Sequence, residues 1–263
     1  MFDFLYVLPN IVISALFGMA MFIAVAGLPF VLCPLLKMER DKDTADFAVR
    51  GQSTVISFLA IVLGFSLVNA QSNLRTVETH VATEASAINQ MDRLLLRYGD
   101  PKVAAMRPLL MNYAQSIVHD EWPLLEKGQA HVLDSKASPT FGQLARTVYA
   151  IEPTPGRQTE IYNLMLAQVD SIAEMRAQRI QDAQTRLPAA FWQIIIALFV
   201  LLIVLALLIE PTVGRAIAVG GQALAVALLL SLVFIYNVPF KGQTALQPDA
   251  IVKVIGIIQA RAV

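Results

Sequence analysis

Cysteine is almost absent. Cys33 stands alone in 263 residues, which excludes an intrachain disulfide framework and a paired-cysteine metal or redox site. Its plain reading is a lone buried thiol. Charge is also scarce, at 15% of residues, with twenty Lys and Arg balancing twenty Asp and Glu. No basic tract points to nucleic acid, and no acidic tail points to disorder. Met1 to Pro9 contains no Lys or Arg, so the positive region of a cleavable secretory signal is missing. The first apolar run is therefore read as a retained span. The motifs of common catalysts are missing too: no glycine-rich phosphate loop, zincin helix or nucleophile elbow occurs. His80 and Glu84, one turn apart, lack the third and fourth ligands of a usual zinc site. No enzyme, cofactor or metal is implied.

Apolar sequence is what the chain has in excess. Hydrophobic residues make up 56%, above the about 45–50% of soluble domains, and they cluster in runs long enough to cross a bilayer. Spans are expected at about Ile11–Leu32, Val49–Ala70, Ala189–Ile209 and Ala216–Tyr236. The fold class follows: all-α, four transmembrane helices with a central helical soluble module formed by long extensions of spans 2 and 3. The divisions are 1–70 (spans 1 and 2), 71–187 (module), 188–238 (spans 3 and 4) and 239–263 (a tail with a short amphipathic helix).

In span 1, Gly18 and Gly27 offer close approach to another helix. Pro29 and Pro34 should kink or end it near Cys33. The loop from Lys37 to Asp46 alternates charge and reads as a solvated turn. Span 2 is the most polar: Gln52, Ser53, Thr54, Ser57, Ser66 and Asn69 lie within it or at its ends. Ser53, Ser57, Ala60 and Gly64 share one face, with Phe58, Ile61 and Phe65 beside them. Such a face either packs on a partner helix or lines water. Span 3 is introduced by Leu187-Pro188, with Trp192 as an interfacial anchor. Gly220 and Gly221 suit tight packing in span 4.

Beyond Ala70, Leu74, Val77, Val81, Ile88, Met91 and Leu95 continue a helical stripe. Glu84 interrupts it and needs an Arg or another hydrogen-bonding partner from a neighbouring helix. Asp100-Pro101 should cap a helix running from Lys102 to about Trp122. Lys127 to Pro139 reads as a loop, Thr140 to Tyr149 as a short helix, and 152–156 as a break. The last soluble helix starts near Arg157, with Arg176, Arg179 and Arg186 at its basic end and Asp182 placed to pair with Arg186. The stripes of 74–95, 106–117 and 161–175 should close into a bundle or pack between subunits. Asp120 or Glu121 should accept hydrogen bonds from Arg107, Arg176 or Arg179, while Trp122 packs the bundle end. Ile251, Val254, Ile255 and Ile258 form the apolar side of a helix between Pro248 and Ala262.

Four spans put both termini and the module on one side. That side carries Arg75, Arg176, Arg179, Arg186, Lys241, Lys253 and Arg261 near the membrane. The other carries Lys37, Arg40, Lys42, Arg50 and Arg215. The bias leans toward a cytoplasmic module in a bacterial inner membrane.

Several of these segments together resemble the bestrophin-like membrane family of bacteria and plants. They are Leu5-Tyr6-Val7-Leu8-Pro9, Glu84-Ala85, Asp120-Glu121-Trp122-Pro123, Arg179 with Arg186, Pro188 and Trp192, then Pro239-Phe240-Lys241-Gly242 and Pro248. Many members carry an acid where this chain has Asn237. The resemblance implies similarity to bestrophins, pentameric anion channels whose second span forms an apolar neck. Ile61 and Phe65 match part of such a neck, and Asn69 is a polar departure.

The expectation is therefore a homo-oligomer, a pentamer by analogy, that sits in a lipid bilayer and passes small ions, with no nucleic-acid partner. Ser53, Ser57, Ile61, Gly64, Phe65 and Asn69 are the pore-lining candidates. Glu84, Asp120, Glu121, Trp122, Arg179 and Arg186 are candidates for a structural or gating network. The alternative is a non-conducting sensor or scaffold that couples the module to the membrane helices. A lipid enzyme comes third, because no spacing predicts a converging carboxylate and histidine.

Overall fold

The computed structural model describes residues 3–35, 42–128 and 135–261; among them there are helices and turns but no strand. Four helical stretches are long and apolar enough to cross a membrane: Asn10–Leu35, Lys42–Arg97, Ala189–Leu208 and Val213–Tyr236. The chain divides into two units. One comprises 1–72, 186–238 and 242–244; the other comprises 73–185, 239–241 and 245–263. The expected solvated turn falls partly outside the described residues (36–41), as does the expected loop at 129–134.

In the first unit, α1 (Asn10–Phe22) passes through a π turn (Ile23–Gly27) into α2 (Leu28–Leu35). Pro29 does not end this span. Leu28 donates its N–H five residues back, to the Ile23 carbonyl, and this wider turn makes room for Pro29, which has no N–H and whose ring would crowd a regular turn. The first part of α3 (Lys42–Arg97), α9 (Ala189–Leu208) and α10 (Val213–Tyr236) complete the unit. Leu59, Leu63, Ile195, Leu202, Ala223 and Val233 form the middle of its core. At about 1.5 Å per residue, the twenty residues of α9 match a roughly 30 Å hydrocarbon layer.

Gly220 lies where α10 meets the first span: a Cβ there would stand 2.7 Å from Phe22 Cε2 and 2.9 Å from Ala26 Cβ. Gly221 faces open space. The Tyr6 hydroxyl donates to the Phe234 carbonyl at 2.8 Å, and the two rings stack. The buried Cys33 thiol donates to the Leu207 carbonyl. Leu187 N–H donates to the Asn237 side-chain oxygen at 2.8 Å.

The second unit contains the rest of α3, α4 (Pro101–Ala104), α5 (Arg107–Ser116), a second π turn (Ile117–Glu121) and α6 (Trp122–Lys127). It continues with α7 (Ala137–Tyr149), α8 (Arg157–Asp182) and α11 (Asp249–Ala260). The three expected stripes close on one core through Val81, Ile88, Leu95, Leu110, Ile117, Met165 and Ile172. Ile251, Val254 and Ile258 of α11 join them. Asp100 caps as expected, its side chain accepting from Lys102 N–H at 2.8 Å with Pro101 at the first position.

Three boundaries differ from expectation. Helix α3 begins at Lys42, inside the stretch read as a turn, because alternating charges are as compatible with an exposed helical turn as with a loop. The single helix expected over 102–122 is divided at Ala105–Met106 and again by the π turn. The extension preceding span 3 is a separate helix: α8 stops at Asp182, and α9 begins after Pro188, whose ψ of 142° is extended. Pro188 also bars its predecessor from helical geometry.

Candidate functional site

Helix α3 uses its two sides differently in the first unit. Gln52, Val55, Leu59, Leu63, Ser66 and Ala70 are buried within the unit. Ser53, Ser57, Ile61, Phe65 and Asn69, each four residues from the last, are exposed. Ile61 is 56% and Phe65 71% exposed. Gly64 is half-buried, and a Cβ added there would meet nothing within 4 Å.

The serine hydroxyls donate back along the helix. Ser57 Oγ reaches the Ser53 carbonyl at 2.9 Å, and Ser53 Oγ reaches the Val49 carbonyl at 3.4 Å. Their donors are thus satisfied locally while oxygen lone pairs stay outward. Beside this line, a groove of about 470 Å³ runs between α3 and α9, bounded by Val62, Phe65, Val68, Asn69, Ser72, Phe191 and Ile194.

The network candidates separate into a buried group and two outliers. Glu84, Glu121 and Arg179 are fully buried. Arg179 Nε donates to Glu84 Oε2 at 2.8 Å, and Arg179 Nη2 donates to Glu121 Oε1 at 2.6 Å. Tyr113 donates its hydroxyl to Glu84 Oε1 at 2.9 Å. Arg176 and the Ser135 hydroxyl both donate to Glu121 Oε2. Trp122 lies under this cluster, with its ring centroid 5.7 Å from the Arg179 guanidinium carbon and its N–H donated to the Leu246 carbonyl.

Burial alone would raise the Glu121 pKa, but the Arg179 and Arg176 guanidiniums outweigh it and hold the carboxyl below the usual range. Burial first, and then Glu84, push the Tyr113 phenol well up, so it stays a donor. Desolvation works against the Arg179 charge, yet Glu84 and Glu121 drive its pKa up.

Asp120 does not join the cluster. It is partly exposed, 3.9 Å from the exposed Lys136 ammonium, as adjacent helical residues face different ways. Arg186 is exposed and lies beyond the end of α8. Asp182 Oδ2 sits 2.7 Å from His80 Nδ1. Arg107, offered as a partner for Asp120 or Glu121, donates to Asp92 Oδ1 at 2.6 Å.

This second buried ion cluster was missed in the sequence. Asp92 is fully buried and also accepts from Arg261 Nη1 at 2.9 Å. The signal was present, since Asp92 stands four residues after Ile88 and three before Leu95, on the apolar stripe.

The family model described as a Bestrophin-like domain matches residues 19–251. The chain belongs to the bestrophin-like family. No curated protein sequence matches it. Among solved structures, a bacterial bestrophin homologue from Klebsiella pneumoniae shares the fold with a TM-score of 0.68 at 15% identity. The match covers 95% of this chain and 97% of that one. A point-mutant form of a Klebsiella pneumoniae bestrophin homologue gives 0.68 at 15% identity, over 95% of this chain and 99% of that one. At this identity the likeness establishes the bestrophin fold and leaves activity to be argued from the residues.

Proposed function

We propose that the chain is the subunit of an oligomeric ion channel in which α3 lines the water path. One observation carries this reading: the line Ser53–Ser57–Ile61–Phe65–Asn69 is uncovered while the opposite side of the same helix is buried. Several copies turn that line toward a shared axis. Ser53, Ser57 and Gly64 border a wet section, Ile61 and Phe65 form an apolar constriction that gates by dewetting, and Asn69 restores polarity beyond it. By family analogy the assembly is a pentamer and the ion is a small anion. The charge bias supports a module on the cytoplasmic side of a bacterial inner membrane. The Glu84–Arg179–Glu121 cluster holds α3 and α8 in one register.

A second reading, a non-conducting sensor or scaffold, draws on the back-bonded serines, since satisfied hydroxyls also allow that face to rest against lipid or another helix. Reconstitution separates the two. Liposomes carrying the purified protein should leak ions, Phe65→Ala should raise the flux, and Ser57→Leu should lower it. Vesicles that stay sealed across a range of pH and calcium, for wild type and Phe65→Ala alike, would refute the channel.

A further inference from the structure

Within the second unit, α3 and α8 flank a cleft of about 170 Å³, lined by Gln90, Arg93, Leu94 and Arg97 of α3 and by Leu164 and Gln168 of α8. Its chemistry is one-sided, with two guanidiniums, two carboxamides, two leucines and no carboxylate. Arg93 and Arg97 stand one turn apart, a spacing at which like charges repel. Arg107, Arg176, Arg179 and Arg261 each rest on a carboxylate. Neither Arg93 nor Arg97 has an ion-pair partner among the described residues. A third guanidinium is close by, since Arg157 Nη2 donates to the Arg97 carbonyl at 3.4 Å. Glu160, one turn before Leu164, does not line the cleft.

We propose that this cleft binds a small oxyanion, either phosphate or a short dicarboxylate. An anion with several oxygens relieves the repulsion between the two guanidiniums and can take paired hydrogen bonds from each fork. Gln90 and Gln168 add neutral donors, and the leucines give a short carbon chain an apolar wall. The volume equals that of about six water molecules, enough for inorganic phosphate or a four-carbon diacid. The inference uses the second unit alone and holds whether or not the protein conducts.

The test is calorimetric titration of the full chain in detergent with sodium phosphate and, separately, sodium succinate. A sodium chloride arm at matched ionic strength isolates screening. Saturable heat with either oxyanion is expected, and the one that saturates names the source. Arg93→Gln with Arg97→Gln should raise the apparent Kd about tenfold or more, the least expected for lost charge-assisted hydrogen bonds. Arg93→Lys should fall between. Lys127→Gln removes a charge elsewhere on the same unit and should change nothing. Without ligand, the double variant should melt no lower than wild type, because the repulsion is gone. Saturation by neither anion, or equal binding by wild type and the double variant, overturns the proposal.

Discussion

Arg179 offers the sharpest test of how the bestrophin-like module is held together. Its guanidinium is fully buried between two fully buried carboxylates. Arg179→Met keeps the length of the side chain and deletes the charge. Glu84 is then left with the Tyr113 hydroxyl alone, while Glu121 keeps Arg176 and Ser135. Removing one partner of a buried ion pair costs about 3–5 kcal/mol, and the partners Glu121 retains keep the total near that range instead of twice it. For domains of this size, about 2–4 °C of Tm is lost per kcal/mol, so Tm should fall by roughly 6–20 °C.

Circular dichroism melts of the full chain in detergent read this directly. A second variant guards the reasoning: adding Glu84→Gln to Arg179→Met removes the one stranded charge, leaves Glu121 with Arg176, and should recover at least half of the loss. Arg179→Met melting together with wild type, or the double variant melting lowest of all, would refute the idea that charge compensation decides stability here.

Three further predictions follow from other contacts. Because the folded Glu121 pKa lies below its unfolded value of about 4.3, its contribution is present above that pH and is lost as pH falls through the folded pKa. Tm should therefore drop under acid, and less steeply in Glu121→Gln. Gly220→Ala should cost about 1–3 kcal/mol by overpacking against Phe22 and Ala26, whereas Gly221→Ala should melt like wild type. Asp92→Asn weakens the hold of Arg107 and Arg261 and should loosen α11, so that limited proteolysis cuts earlier in the 245–248 segment.

Much of the second unit was legible because burial writes itself as periodicity. Glu84, set on an apolar stripe, called for an Arg or another hydrogen-bonding partner, and Arg179 and Tyr113 supply it. Asp92 sent the same signal two helical turns later and went unread; its partners Arg107 and Arg261 lie 15 and 169 residues away. Of Asp120 and Glu121, offered as alternative acceptors, it is Glu121 that meets Arg176 and Arg179, and the backbone around it was not legible. Trp122 N–H reaches back five residues to the Ile117 carbonyl just before Pro123, as Leu28 does before Pro29. Each proline follows a π turn, and the extra residue shifts which side chain faces in. A sequence shows the proline but not whether the chain will bend, stop or widen around it. In the first unit the four spans were readable from apolar length alone. What covers Ser53 and Phe65 was not, because the chain itself leaves them uncovered.

The chain's two tryptophans fall one in each unit: Trp122 against Phe240 and Arg179, Trp192 among the apolar helices. Replacing either with phenylalanine leaves a single indole as the optical probe of one half of the molecule. The positive charge over Trp122 should colour its emission differently from that of Trp192. Local melting, detergent effects and ligand responses could then be assigned to one half or the other without any added label.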